Sequence, residues 1–223
     1  MDSMTETLTI CKPLKWDSEF FQLKIASVRC IPPFNVQALA TLFEELKREG
    51  YDLVYLFAEG EPVPLSSLPG TCACELVDMK YTYRTDDLAA PEPAPEVYSY
   101  DGPPQELFSL AFQAGSHSRY RTDKNFAAGT FERFYRTWIV NSVNRQIADY
   151  VYVYPNGSAP GGFITLKIDD EIATIGLIAT DPALRGRGIG TKLVGACKRT
   201  AALRGARTIS VATQAANVDA CAF

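Results

Sequence analysis

Apolar positions along the chain fall into two kinds of period. From Gln37 to Glu49 they recur at helical spacing, with Leu39, Leu42, Phe43 and Leu46 on one face and Gly50 as a stop signal. Asp52 to Ala58 is a short apolar run of strand length, and Met79 to Arg84 predicts another strand. Helical spacing returns in Gln105 to Ala114 through Leu107, Leu110 and Ala111, and in Phe131 to Val143 through Phe134, Tyr135, Trp138, Ile139 and Ser142. Three strands follow, Tyr150 to Tyr154, Gly162 to Ile168 and Ile172 to Thr180, parted by turn residues at Pro155-Asn-Gly157 and Asp169-Asp-Glu171. Connections this short join antiparallel neighbours, so the three form a meander. A helix over Ile189 to Arg204 and a strand over Thr208 to Thr213 complete the pattern.

Proline breaks the chain in two. Pro91, Pro93, Pro95, Pro103 and Pro104 crowd a short segment that favours extended backbone and cannot continue a helix. The expected organisation is an accessory lobe over 1–87, a connector over 88–104 and a larger domain over 105–223. The fold class is α/β (α+β), with a mixed, mostly antiparallel sheet, flanking helices and a small N-terminal α/β lobe.

Composition narrows the function. The 223 residues are 47% hydrophobic and 22% charged, which fits a globular protein and neither a fibre nor a disordered chain. The net charge of −4 argues against a dedicated nucleic-acid binder. A single histidine, His117, excludes a multi-histidine metal site, so no metal is expected. No cysteine pair has C-x-x-C spacing, and Cys72-Ala-Cys74 is one residue too tight. The N-terminal residues lack the basic-then-apolar pattern of a signal peptide, and no run approaches a membrane span. Reduced thiols in a cytoplasmic protein without membrane partners are therefore expected.

The strongest chemical signal runs Asp181-Pro-Ala-Leu-Arg185-Gly186-Arg187-Gly188-Ile189-Gly190-Thr191. Three glycines lie between a strand and the first turn of a helix. Glycine lets backbone N–H groups approach a ligand closely, and the helix N-terminus adds unpaired donors and partial positive charge. Such a site suits phosphate. From Pro182 to Ala212 there are seven Lys and Arg residues and no Asp or Glu. A Walker A loop fails because Thr191, not lysine, follows Gly190. A dinucleotide fingerprint fails because the spacing is G-x-G-x-G and the preceding strands form a meander.

With Arg185, Gly188 and Gly190 filling Arg-x-x-Gly-x-Gly, the segment resembles the acetyl-CoA motif of the GNAT superfamily of N-acetyltransferases over roughly Gln105 to Phe223. The resemblance implies a sheet with splayed central strands. It places the acetyl and pantetheine arm along Ile178, Ala179 and Thr180, and the pyrophosphate on backbone groups from Gly186 to Thr191. Trp16-Asp-Ser-Glu-Phe-Phe21, Ala111-Phe through Ser118-Arg119-Tyr120, and Phe134-Tyr-Arg-Thr-Trp138-Ile look like the bacterial dTDP-fucosamine acetyltransferase group. That likeness implies a small-molecule acceptor, the amino group of a nucleotide-linked deoxysugar used for surface polysaccharide, touched by Ser118, Arg119 and Tyr120. The same aromatic residues also suit plain core packing. A homodimer is a further expectation.

Direct attack by a neutral amine is the chemistry implied, with the oxyanion held by a backbone N–H of the Ile178–Thr180 strand. The resemblance places a cofactor contact at Asn217 and a tyrosine acid directly after Phe223. The sequence ends at that point, so the expected form is a shortened version of a longer protein, with no catalytic acid among its residues. His117 is the base candidate, set against a solvated loop position. The rivals are acetylation of another amine (polyamine, aminoglycoside or protein N-terminus) and an inactive acyl-CoA-binding module.

Overall fold

A computed structural model describes residues 9–60, 74–89 and 94–223. The chain divides into two compact units, the first ending at Leu76 and the second spanning Val77–Phe223.

In the first unit β1 (Thr9–Pro13), β2 (Ile25–Cys30) and β3 (Leu53–Ala58) form a sheet in the order β1-β2-β3, antiparallel then parallel. Helix α1 (Lys15–Phe21) joins β1 to β2, and α2 (Val36–Arg48) crosses from β2 to β3. The Asn35 side chain accepts a hydrogen bond from Ala38 N–H at 3.0 Å and starts α2. Lys47 and Arg48 occupy its last turn, where cations suit the helix dipole. Val28 and Cys30 pack with Leu39 and Leu46 beneath α2, so the apolar stripe read from the sequence is its buried face.

The second unit carries a six-stranded sheet in the order β4-β9-β8-β7-β6-β5. Its strands are β4 (Lys80–Thr85), β5 (Tyr98–Ser99), β6 (Tyr150–Asn156), β7 (Ala159–Asp169), β8 (Ile172–Thr180) and β9 (Thr208–Gln214). Its helices are α3 (Phe108–Ala114), α4 (Arg119–Thr122), α5 (Thr130–Val143), α6 (Ile189–Leu203) and α7 (Val218–Ala222). The meander β6-β7-β8 is antiparallel, and β8 pairs with β9 in parallel across α6. Alternation sorts the core. Ile164 and Leu166 of β7 pack with Ile189, Leu193, Cys197 and Ala201 of α6, and Thr165 lies on the opposite face. On the other side of the unit Phe131, Phe134, Tyr135 and Trp138 of α5 stack and tilt against one another, with ring centroids 4.9–5.8 Å apart.

One boundary differs from expectation. The Met79–Arg84 strand, placed by sequence in the 1–87 lobe, is β4 of the second sheet. It pairs antiparallel with β9 from Lys80–Gln214 to Thr85–Ile209. Strand pairing is non-local, and β4 is exposed along its length, so no burial pattern in the sequence marks its partner. Of the 88–104 connector, residues 90–93 lie outside the described residues.

The β8–β9 ladder is short. It runs from Ile172–Thr208 to Ile175–Val211 and stops, although both strands continue. At the same place β8 gains one residue against β7, because Ile164 pairs with Ile178 and Leu166 with Ile175. This bulge bends β8 away from β9 and opens the sheet. Beyond Ile175 the edge of β8 that faces β9 has no strand partner among the described residues.

Candidate functional site

The end of β8 and the glycine loop line a cavity of about 590 Å³. Its walls are Ile178, Ala179 and Thr180 at the end of β8, Arg185, Gly186, Gly188, Ile189, Gly190 and Thr191 of the glycine loop, and Asn217 at the start of α7. Gln113, Ala114, Ser116 and His117 close the side below α3. The cavity thus brings together ten of the eleven positions expected to hold cofactor, and His117 with them. Arg187 is exposed and is not among the lining residues.

Local chemistry builds the loop. Asp181 Oδ1 accepts from Ala183 N–H at 2.9 Å, and Pro182 opens the short 3-10 turn Pro182–Leu184 that leaves β8. Gly186 and Gly188 both have φ of +74°, which disfavours any residue with a Cβ, and a Cβ at either would meet nothing within 4 Å. Both glycines therefore face open space. Gly188 caps α6, and the first intrahelical bond runs from Lys192 N–H to Gly188 O. The N–H groups of Ile189, Gly190 and Thr191 lie ahead of that ladder, available to an anion. At Gly190 a Cβ would come within 3.1 Å of the Phe223 ring, so that face admits no side chain without moving the ring. Asn217 Oδ1 accepts from Ala220 N–H at 3.3 Å and so belongs to the cap of α7 as well as to the cavity.

The acceptor candidates sit differently. Ser118 and Tyr120 are buried, and neither they nor Arg119 lines the cavity. Tyr120 stacks on Phe134 at 4.0 Å, and Arg119 Nη2 donates to the Tyr120 hydroxyl at 2.7 Å. His117, one residue before Ser118, is at the cavity wall.

A polar cluster escaped the sequence reading. Asp78, with only 11% of its side chain exposed, stands 3.9 Å from Lys80 Nζ. Burial pushes the Asp78 carboxyl up against the opposing pull of Lys80 and Arg119, and burial with the Arg119 charge pushes Lys80 down. Burial likewise raises the Tyr135 hydroxyl. The cluster is assembled from the segment entering β4, from α4 and from α5, which are far apart in sequence, so no local motif announces it.

The positive run of Pro182 to Ala212 is largely neutralised in the fold. Arg185 faces Asp219 at 3.9 Å, Lys192 meets Glu96 at 2.8 Å, Lys198 faces Asp87 at 3.8 Å, and Arg207 meets Glu171 at 2.9 Å. Among the described residues no group of three or more His, Cys, Asp or Glu is arranged to hold a metal, and no helix is long and apolar enough to cross a membrane.

A parallel strand pair thus parts at a bulge, and a glycine-capped helix follows the end of β8. The GNAT acetyltransferase family model matches residues 107–223, more than half of the chain, and the chain belongs to that family. No curated protein matches the sequence. Among solved structures it is similar to a functionally unknown conserved protein from Staphylococcus epidermidis ATCC 12228, at 10% identity over 85% of this chain and 74% of that one, with a TM-score of 0.57. It is also similar to a GNAT-family acetyltransferase from Colwellia psychrerythraea, at 18% identity over 85% and 68% of the two chains, TM-score 0.47. A third is the Bacillus subtilis acetyltransferase in complex with CoA, at 18% identity over 57% and 70%, TM-score 0.41. The first of these shows a shared fold.

Proposed function

We propose that the protein moves an acetyl group from acetyl-CoA to an amine, and that the amine belongs to a nucleotide-linked amino-deoxysugar. The observation that supports it most is the cavity in which the unpaired end of β8, the glycine loop and Asn217 meet. An open cradle over Gly186 and Gly188 fits a pyrophosphate, since no Cβ or neighbouring atom fills it. Helix-end electrostatics supply at most about 2 kcal/mol. Micromolar affinity needs about 8 kcal/mol. The remaining contact surface for a pantetheine arm would come from Ile178, Ala179 and Thr180, the end of β8 that lines the cavity beyond its ladder with β9.

When bound, acetyl-CoA supplies the thioester whose carbonyl the amine attacks. The protein's part is orientation and charge. Backbone N–H groups on the free edge of β8, within Ile178 to Thr180, donate to the developing oxyanion. Arg185 and the first-turn N–H groups of α6 hold the phosphates. His117, which lines the cavity, would take the amine proton as the C–N bond forms and the C–S bond breaks, with CoA leaving as a thiolate that solvent protonates. The nucleotide-sugar acceptor rests on the likeness in sequence of the Ser118-Arg119-Tyr120 and Phe134-to-Trp138 segments to the aminosugar enzymes, because those side chains do not themselves line the cavity.

Two measurements test this. Acetyl-CoA should raise the melting temperature of the wild-type chain and not that of Gly188→Glu, whose carboxylate would fill the cradle. No shift in the wild type, or an equal shift in the variant, rejects the cofactor site. Release of free CoA thiol is then followed with dTDP-4-amino-4,6-dideoxysugars, spermidine, an aminoglycoside and a peptide N-terminus as acceptors. Turnover confined to one of the last three would overturn the sugar assignment.

A further inference from the structure

The β8–β9 ladder ends at Ile175 and Val211, and β9 runs on alone to Gln214. There β4 supports it: Lys80 pairs with Gln214, and Ala215 N–H donates to Met79 O at 2.7 Å. Asn217 N–H in turn donates to Gln214 O at 2.9 Å. Backbone hydrogen bonds therefore tie the segment around Asp78 to Asn217, a residue of the cavity wall. On the helical side His117 lines the same cavity, and Arg119, two residues later, opens α4. The Arg119 guanidinium lies 4.6 Å from the centre of the Tyr120 ring and donates to the Tyr120 hydroxyl. That ring stacks on Phe134 of α5, so Arg119 is fixed to the helical layer.

The Asp78 side chain is 11% exposed, and its Oδ2 stands 3.9 Å from Lys80 Nζ. Burial raises the carboxyl. The charges of Lys80 and Arg119, and hydrogen bonds from the Gln214 side chain and Met79 N–H, oppose the rise. Lys80, Gln214 and Met79 share a strand ribbon with Asp78, whereas Arg119 reaches the carboxylate from the helices. A charge pair this far from water adds little net stability over apolar packing, so its contribution lies in fixed geometry. Asp78 and Lys80 also precede residues 107–223, the stretch that the family model matches.

We propose that Asp78 is a positioning residue for the candidate site: its carboxylate bridges from the β4–β9 ribbon to Arg119 of α4 and so fixes Asn217 and His117 on their walls of the cavity. The proposal rests on the acetyl-transfer reading for the use it gives those two residues. Asp78 itself touches no ligand. It acts through the Gln214-to-Asn217 turn on one side and through the first turn of α4 on the other.

His117 is the single histidine of the chain, so the full chain grown on isotope-labelled histidine gives one imidazole Cε1–H signal in a magnetic resonance spectrum. Asp78→Asn keeps the shape of the side chain and removes its charge. It should move that signal by more than its line width. It should also weaken acetyl-CoA binding, read by isothermal titration, on the order of fivefold. Arg119→Gln should do the same, and adding Asp78→Asn to it should change neither quantity further, because the two act through one contact. Lys80→Gln alters the ribbon alone and should leave the signal in place. Asp149→Asn loses bonds to Lys167 and Ile168 instead, and should leave the signal in place as well. An unmoved signal in Asp78→Asn, additive effects in the double variant, or an equal displacement by Lys80→Gln overturns the bridge. Equal displacement by Asp149→Asn also overturns it, because lost stability and not position would then move the signal. Failure of the wild type to bind acetyl-CoA overturns the cofactor reading instead, and the histidine signal then decides the bridge by itself.

Discussion

The hydroxyl of Thr165 accepts a hydrogen bond from the backbone N–H of Leu177 at 2.9 Å, inside the bulge where β8 turns away from β9. Both residues are buried, Thr165 with 1% of its surface exposed. The extra residue of a bulge leaves ladder groups unpaired, and here a side chain from the neighbouring strand satisfies one of them. Gly176 is the residue that permits it, since a Cβ there would come within 2.9 Å of the same Thr165 oxygen.

Thr165→Val should therefore destabilise the second unit by about 1–3 kcal/mol, because it keeps the shape and orphans a buried donor. Thr165→Ser, which keeps the oxygen, should recover most of that loss. Thermal or urea unfolding of the three proteins decides it. Equal stability of Val and wild type would mean that the bulge holds without the hydroxyl.

Gly115 sets the end of α3, and a Cβ there would enter the Tyr135 ring. Tyr135 is buried among Phe131, Phe134 and Trp138, so it has no free direction in which to swing. Gly115→Ala should cost about 1–3 kcal/mol by overpacking. It should also alter the near-ultraviolet circular dichroism of the aromatic cluster. The adjoining Ser116 and His117 line the cavity, so acetyl-CoA affinity is expected to fall in the same variant. An unchanged spectrum and melting curve would show that the ring relocates without cost.

Asp149 makes stability depend on pH. Burial raises its carboxyl, yet hydrogen bonds from Lys167 Nζ at 2.8 Å and Ile168 N–H at 2.6 Å outweigh this and hold it below the usual aspartate range. A depressed carboxyl contributes stability above its unfolded value, about 3.9, and loses it as the pH falls through the lower folded value. Asp149→Asn should accordingly melt about 2–4 °C below wild type at pH 7, the shift being small because the pair is partly exposed. The gap should narrow as the pH falls below about 4, where Asp149 of the unfolded chain takes up a proton before that of the folded chain does. A gap that does not change with pH would assign the effect to packing instead of charge.

How far the sequence foretold this architecture depends on the range of the forces involved. The α2 and α6 helices and the β6-β7-β8 meander were legible, because each rests on local periodicity and on turn residues adjacent in the chain. The glycine loop was legible for the same reason: Gly186 and Gly188 sit at positive φ within one continuous segment. The placement of β4 was not, since its ladder with β9 joins residues about 130 positions apart and its exposed side chains carry no alternating signal. The bulge left only one trace, Gly176 within a strand. The basic run looked like a bare positive surface because Glu96, Asp87 and Asp219 reach it only after folding. Asp78 was unreadable on the same ground: its burial depends on Lys80, Arg119 and Tyr135 coming together from three elements.

Among the described residues, the four residue pairs that join β8 to β9 are the only ladder between the β4–β9 ribbon and the rest of the sheet. A sheet is as strong as its shortest seam, so this one is divided into a two-stranded leaf and a four-stranded slab with a narrow hinge line at Ile172–Ile175. Amide protons on the open side of that line lack the cooperative protection of the slab, and their hydrogen exchange should report the seam opening well below the free energy of global unfolding. A ligand bridging both leaves would act as a stitch, and its binding would be read out as slowed exchange at Ile178 to Thr180 and along the end of β9.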